Sequence, residues 1–137
     1  MDAKQLLGLD VGLARTGVAR ASAVARQAEP LMTIETSKAL GTLAELIEKQ
    51  SIGIIVVGLP RNLQGEDTDQ TRWVRKWVKE AKAAVEVPFY WQDEALTTVI
   101  ARAGAVAHKK PRDVDALAAA IILQDFLDTP EAERVIC

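Results

Sequence analysis

The most constraining stretch of this chain is Ile52-Gly53-Ile54-Ile55-Val56-Val57, a run without a polar side chain. A strand that faces water on one side alternates apolar and polar residues. A run without alternation is covered on both faces, as in a parallel sheet flanked by helices. From about Ser37 to Gln50, Leu40, Leu43, Leu46 and Ile47 recur at helical spacing just before the run. After it, Gly58-Leu59-Pro60-Arg61-Asn62-Leu63-Gln64-Gly65 reads as a turn-rich loop. Helix alternating with buried strand makes this an α/β chain. In open α/β sheets ligands bind beyond the carboxyl ends of the strands, so the loop is a candidate site wall.

The N-terminal third has a different period. Leu6 to Val11 reads as a strand, Gly12-Leu13-Ala14-Arg15 as a turn, and Thr16 to Ser22 as a second strand. So short a connection pairs them antiparallel. Pro30 to Glu35 reads as a third strand, with proline at its first position, where it is tolerated. Beyond the central run a helix is predicted from Asp67 or Thr68 to Val85. Val74, Trp77, Val78, Ala81 and Val85 form its apolar stripe, and Arg72, Arg75, Lys76, Lys79 and Lys82 fall on the other side. Pro88-Phe89-Tyr90-Trp91 reads as a strand that leads into Gln92-Asp93-Glu94, and a helix starts near Leu96. Lys109-Lys110-Pro111-Arg112 reads as a basic loop. Asp113-Val114-Asp115 then opens a final helix that is apolar almost all round and should be buried. The tail after Pro130 reads as loose. The length suits one domain, residues 1–137, with one sizeable core.

Composition excludes several classes. Seventeen basic and 19 acidic residues give a net charge of −2, which argues against a protein that coats nucleic acid non-specifically. Cys137 is the sole cysteine, so neither an internal disulfide nor a cysteine metal site is expected, and a reducing cytoplasm fits. The first residues lack the pattern of a signal peptide, and no apolar run approaches the roughly 20 residues that span a bilayer.

Three acids stand where the pattern turns from apolar to polar. Asp10 lies in Gly8-Leu9-Asp10-Val11-Gly12, at the end of the first strand. Aspartate fits poorly in a strand and must be satisfied if buried. Glu94 follows a later strand, and Asp115 falls in the first turn of the final helix, where the dipole favours an anion. Each has a bland reading alone: a solvated turn, a capping residue, a dipole partner. Together they supply the all-oxygen donors that suit Mg²⁺ or Mn²⁺. The basic helix stripe is either a solvated face or a track for phosphates. Trp73, Trp77 and Trp91 could stack on bases, although the spacing puts Trp77 in the core. His108 is the only histidine and reads as a loop residue. Neither a nucleophile elbow, a Walker A loop nor a dinucleotide fingerprint occurs.

Leu9-Asp10-Val11-Gly12 with Arg15 and Gly17-Val18-Ala19, Val56-Val57-Gly58-Leu59-Pro60, Asn62 with Gly65, Asp93-Glu94-Ala95-Leu96-Thr97-Thr98, and Val114-Asp115-Ala116 with Ala118-Ala119 together resemble the YqgF family. These are pre-16S rRNA nucleases related to Holliday-junction resolvases in the ribonuclease H superfamily. The resemblance runs from about Leu6 to Asp128. It implies a ribonuclease H-like fold: a five-stranded mixed sheet, three strands in an antiparallel meander and the others parallel, with helices on both faces. It also implies that Asp10, Glu94 and Asp115 match the family's acidic triad. The chain departs from the family at Ala95, where arginine is usual, in a short segment from Ile100 to Arg112, and at Ala21-Ser22-Ala23, which replace the polar, usually acidic end of the second strand.

The function expected on this resemblance is metal-dependent phosphodiester hydrolysis of structured RNA, the 5′ end of pre-16S rRNA, with two Mg²⁺ or Mn²⁺ ions. Arg15, Arg61, Arg72, Arg75 and Lys79 are the candidate phosphate contacts. Close rivals are a resolvase of four-way DNA junctions, which would act as a homodimer, and a non-catalytic RNA-binding assembly factor. A nucleotide-binding lobe of the actin or hexokinase kind would need a second lobe, for which the length is insufficient.

Overall fold

The computed structural model describes residues 4–106 and 111–137. A meander comes first: β1 (Gln5–Val11), β2 (Arg15–Ser22) and β3 (Glu29–Glu35). A 3₁₀ turn (Thr36–Lys38) leads into α1 (Ala39–Gln50), then β4 (Ile52–Arg61), α2 (Asp69–Ala84), β5 (Phe89–Ala95), α3 (Leu96–Val106) and α4 (Pro111–Asp128). A second 3₁₀ turn (Glu131–Glu133) precedes β6 (Val135–Ile136). The sheet order is β3-β2-β1-β4-β5-β6. β1, β2 and β3 pair antiparallel, β1, β4 and β5 pair parallel, and β6 returns antiparallel to β5. The mixed sheet expected from the sequence is present, with six strands instead of five.

Helices cover both faces. On one, Ala39, Leu43 and Leu46 of α1 and Val74, Trp77, Val78 and Ala81 of α2 bury against Leu7, Leu9, Val11 and Val57. On the other, Val99 and Ala103 of α3 and a long face of α4, from Ala118 to Leu127, bury against Leu6, Ala19, Ala21 and Val56. Alternation along β1 therefore sends Leu7 and Leu9 to one face and Leu6, Gly8 and Asp10 to the other.

Three expectations are corrected. Gly58-Leu59-Pro60-Arg61 is strand, not loop: β4 continues beside β5, with Leu59 opposite Asp93, Pro60 opposite Glu94 and Arg61 opposite Ala95. Proline is accommodated because the pairing with β1 stops at Leu9 and Val57, so Pro60 has a sheet neighbour on one side only. The tail after Pro130 is not loose, since Val135 and Ile136 pair with Trp91 and Tyr90 and the Cys137 amide donates to the Phe89 carbonyl at 2.8 Å. The final helix begins at Pro111, so Pro111 and Arg112 belong to it and not to a basic loop; proline suits a first helical position. His108, Lys109 and Lys110 lie outside the described residues. Among the described residues, no helix is long and apolar enough to cross a membrane.

Candidate active site

β1 stops pairing with β4 four residues before β4 ends, and the step between them opens a cleft at the carboxyl end of the sheet. Its lining is Asp10, Gly58, Leu59, Pro60, Glu94, Val99 and Ile122, and it has room for roughly one water-sized sphere. Asp10 enters from the end of β1 and Glu94 from the end of β5.

Glycines bring α4 to this cleft. A side chain at Gly8 would strike Leu123 and the Ala119 carbonyl, and one at Gly58 would strike Ile122. At Gly17 a Cβ would lie 1.9 Å from the Asp115 carbonyl oxygen. Gly17 pairs with Asp10 across β1 and β2. The bare strand surface thus lets the helix backbone settle on the sheet and sets Asp115 beside Asp10. Asp115 is the fifth residue of α4, just past the first turn and its dipole, because the helix starts earlier than the sequence suggested.

The opposite side of the cleft is fixed from α2. Thr68 caps that helix: its hydroxyl accepts from the Thr71 amide, and the Thr71 hydroxyl accepts from the Thr68 amide. The Thr71 hydroxyl donates in turn to the Pro60 carbonyl, next to Glu94 in register. At the hairpin, Thr36 donates to the Gly12 carbonyl at 2.6 Å, which leaves Thr16 to donate to Thr36 at 2.8 Å. That pair ties the end of β3 to the turn from which Arg15 extends.

The carboxylates repel one another and are poorly solvated. Burial, then the negative charge of Asp115, raises the Asp10 pKa from its ordinary 3.8 to about 6. Glu94 is pushed up to about 8, first by burial and then by a hydrogen bond to Asp125 and that residue's charge; Arg102 and Gln92 oppose the rise. Burial would raise Asp125 as well, but hydrogen bonds from Glu94 and Arg102 outweigh it and lower its pKa. Arg102 grips both Asp125 oxygens, at 2.9 and 3.3 Å. Asp115 accepts from Arg15 Nε at 2.8 Å.

The structure therefore puts Asp10 and Glu94 in one cleft and Asp115 next to Asp10, while Asp115 and Glu94 keep partners of their own. Among the described residues, no three metal-ligating side chains stand ready-made around one point. The donor chemistry nonetheless fits a hard divalent cation. All the donors are carboxylate oxygens, and the strain on Asp10 is the unbalanced negative charge that such an ion offsets.

The predicted phosphate contacts divide by position. Arg15 rims the cleft beside Asp115, and Arg61 lies within 3.2 Å of both Asp67 and Asp93. Arg72 pairs with Asp69 in the first turn of α2. Arg75 pairs with Asp67 at 3.4 Å and lies 6.0 Å from the Trp91 ring. Lys79 is further along α2, in a groove with Lys82, Trp91 and Cys137 on the other side of the sheet from α4. The helix stripe read as five cations with few acids is thus partly neutralised by Asp67 and Asp69. Trp77 is in the core as expected, and Trp73 and Trp91 are half-buried against it. Sequence reasoning missed Asp125 and Arg102; the available signal was an acid inside an otherwise apolar helix, three turns beyond Asp115.

A mixed sheet with antiparallel and parallel halves, helices on both faces and acids at the carboxyl ends of β1 and β5 defines the ribonuclease H-like class. Two solved structures share it: Thermus thermophilus RuvC, alone (TM-score 0.58) and in complex with a Holliday junction substrate (0.61). Each is 16% identical in sequence and covers at least 97% of this chain and 99% of its own. Residues 4–129 match the model of the family described as "RuvX: Holliday junction resolvase". Proteins from Chloroflexus aggregans (37% identical, 93% of this chain and 96% of that one) and Roseiflexus sp. (38%, 91% and 94%) bear the name "Putative pre-16S rRNA nuclease". The chain belongs to this RuvX family, the one its motifs resemble under the name YqgF.

Proposed function

We propose that this protein is a divalent-cation-dependent nuclease that hydrolyses phosphodiester bonds of structured RNA at the 5′ end of pre-16S rRNA, in the cytoplasm. The observation that carries the reading is the meeting of two half-buried carboxylates from different strands, Asp10 and Glu94, in one cleft, with Asp115 next to them. The names borne by its relatives support the substrate.

Asp10, Glu94 and Asp115 would hold Mg²⁺ or Mn²⁺. Once bound, such ions lower the pKa of a water and stabilise a leaving oxygen. Asp10, buried beside the negative charge of Asp115, contributes charge that makes cation binding favourable. Val99 and Ile122 wall the cleft and keep bulk water from the carboxylates. Arg15, Arg61 and Arg72 bind phosphates near the cleft, and Arg75 and Lys79 extend the track along α2. Arg61, opposite Ala95 in register, is a cation beside the position where the family usually has arginine.

A second reading, cleavage of four-way DNA junctions by a homodimer, is favoured by the family description and by the junction-bound RuvC likeness. The two separate in one experiment: a pre-16S rRNA 5′ leader and a four-way DNA junction, each incubated with Mg²⁺ and with Mn²⁺. Cleavage of the RNA alone is expected. Cleavage of the junction alone would replace the RNA reading, and cleavage of neither, with tight RNA binding, would leave the assembly-factor role.

A further inference from the structure

Asp115 has the least expected partner in the molecule. It comes from the second turn of α4, beside Asp10, yet its Oδ2 accepts from Arg15 Nε at 2.8 Å, across a hundred residues of sequence. Arg15 sits where the β1–β2 turn enters β2, and Thr36 braces that turn through the Gly12 carbonyl. Its base is therefore held, and the long side chain reaches from it to Asp115. The pair is open to water, with side chains 47% and 21% exposed for Arg15 and Asp115. Contacts this exposed contribute little and exchange readily.

Two needs conflict at this contact. A guanidinium on Asp115 neutralises a carboxylate that already repels Asp10. The same guanidinium occupies Asp115 Oδ2, one of the two oxygens this side chain could offer to a shared cation. Phosphate is the natural competitor, because guanidinium binds it in a fork, as it does carboxylate.

We propose that Arg15 is an exchangeable counter-ion of Asp115: it covers this carboxylate in the free protein and releases it when the guanidinium moves to a phosphate of the bound strand. Nucleic acid and divalent cation then bind with positive coupling, and the acidic centre is completed only where a phosphodiester is present. Coupling of this kind is reciprocal. The inference rests on the carboxylates' being the cation site and adds a role that the triad alone does not give Arg15.

The test is a Mn²⁺ titration followed by electron paramagnetic resonance, without nucleic acid, on the wild type, Arg15→Gln and Arg15→Lys. A second measurement is the affinity for a labelled RNA strand in EDTA, by fluorescence anisotropy. Thermal melts check that each variant is folded. Arg15→Gln should bind Mn²⁺ about three- to tenfold more tightly than wild type and RNA about threefold or more weakly, in line with loss of one charged contact. Arg15→Lys, which keeps the charge, should stay near wild type for Mn²⁺. Should Arg15→Gln bind Mn²⁺ no more tightly than a wild type that does bind it, the counter-ion role falls and the cation site stands. Weaker Mn²⁺ binding by that variant would make Arg15 a fixed support of Asp115 and overturn the exchange. Absence of Mn²⁺ binding by all three proteins would remove the cation site, and the exchange with it.

Discussion

The two faces of the sheet are built on opposite terms. Against α1 and α2 the strands present Leu7, Leu9, Val11 and Val57, large side chains that hold the helices at a distance and fill the space between. Against α4 they present glycine at positions 8, 17 and 58, and the helix backbone comes down almost onto the strands. The first face gains stability from apolar volume. The second gives up volume for proximity, and the acids gather there. A buried carboxylate needs neighbours close enough to answer it, and glycine at these positions lets the helix bring Asp115 there.

The contrast is broken most severely at Gly17. One added methyl, in Gly17→Ala, would meet the Asp115 carbonyl oxygen. It should cost about 3 kcal/mol or more, beyond ordinary overpacking, because backbone and not a movable side chain stands in the way. On the other face, Leu43→Ala removes most of a fully buried side chain. It should cost about 2–5 kcal/mol while leaving cation binding by the folded protein unchanged. Urea denaturation measures both. A cost below about 1 kcal/mol for Gly17→Ala would mean that α4 does not sit as close as described.

The next effect runs the other way. The Asp10 pKa lies at about 6 in the folded protein against 3.8 ordinarily, so the folded state holds the proton more tightly. Stability is then lost as pH rises from about 4 to 6, by on the order of 3 kcal/mol at neutrality without metal. Asp10→Asn, which cannot ionise, should be more stable than wild type by about that amount at pH 7 in EDTA. The gain should fade as pH falls towards 4. An equal gain at both pH values would mean that ionisation is not its cause.

A smaller effect belongs to the join between the faces. Thr68→Ala removes the hydroxyl that caps α2 and should cost about 1 kcal/mol by denaturation. The smallest is electrostatic. Lys79 is exposed and has no ion pair among the described residues, so Lys79→Ser should reduce the salt dependence of RNA binding by about one unit of slope. A paired cation such as Arg72 should change the slope less.

What could be read in advance follows the same division. The α1 and α2 face declares itself in the sequence, because Leu40, Leu43, Leu46 and Ile47, or Val74, Trp77, Val78 and Ala81, repeat at the helical period. The uninterrupted run 52–57 likewise announces a strand buried on both sides. On the α4 face the informative residues are glycines, which have no periodicity of their own and are easily read as turns. Gly8 flanks Asp10 in the sequence, and in the fold it is the seat of Leu123. Pro60 looked like a strand breaker and is tolerated because β1 has already ended beside it. Val135 and Ile136 were too few to signal a strand without the partner that β5 provides. Asp10, Glu94 and Asp115 were legible as acids at element ends. Their engagements with Arg15 and Asp125 were not, since those contacts depend on how α4 lies across the sheet.

The central claim is that Asp10 is the carboxylate on which cation-dependent cleavage depends. The most direct measurement compares wild type with Asp10→Asn on an RNA substrate in Mg²⁺, with melting curves recorded on the same preparations. Cleavage should fall by roughly a hundredfold or more while the variant stays folded and melts no lower than wild type. A folded Asp10→Asn protein that cleaves at the wild-type rate would contradict the account.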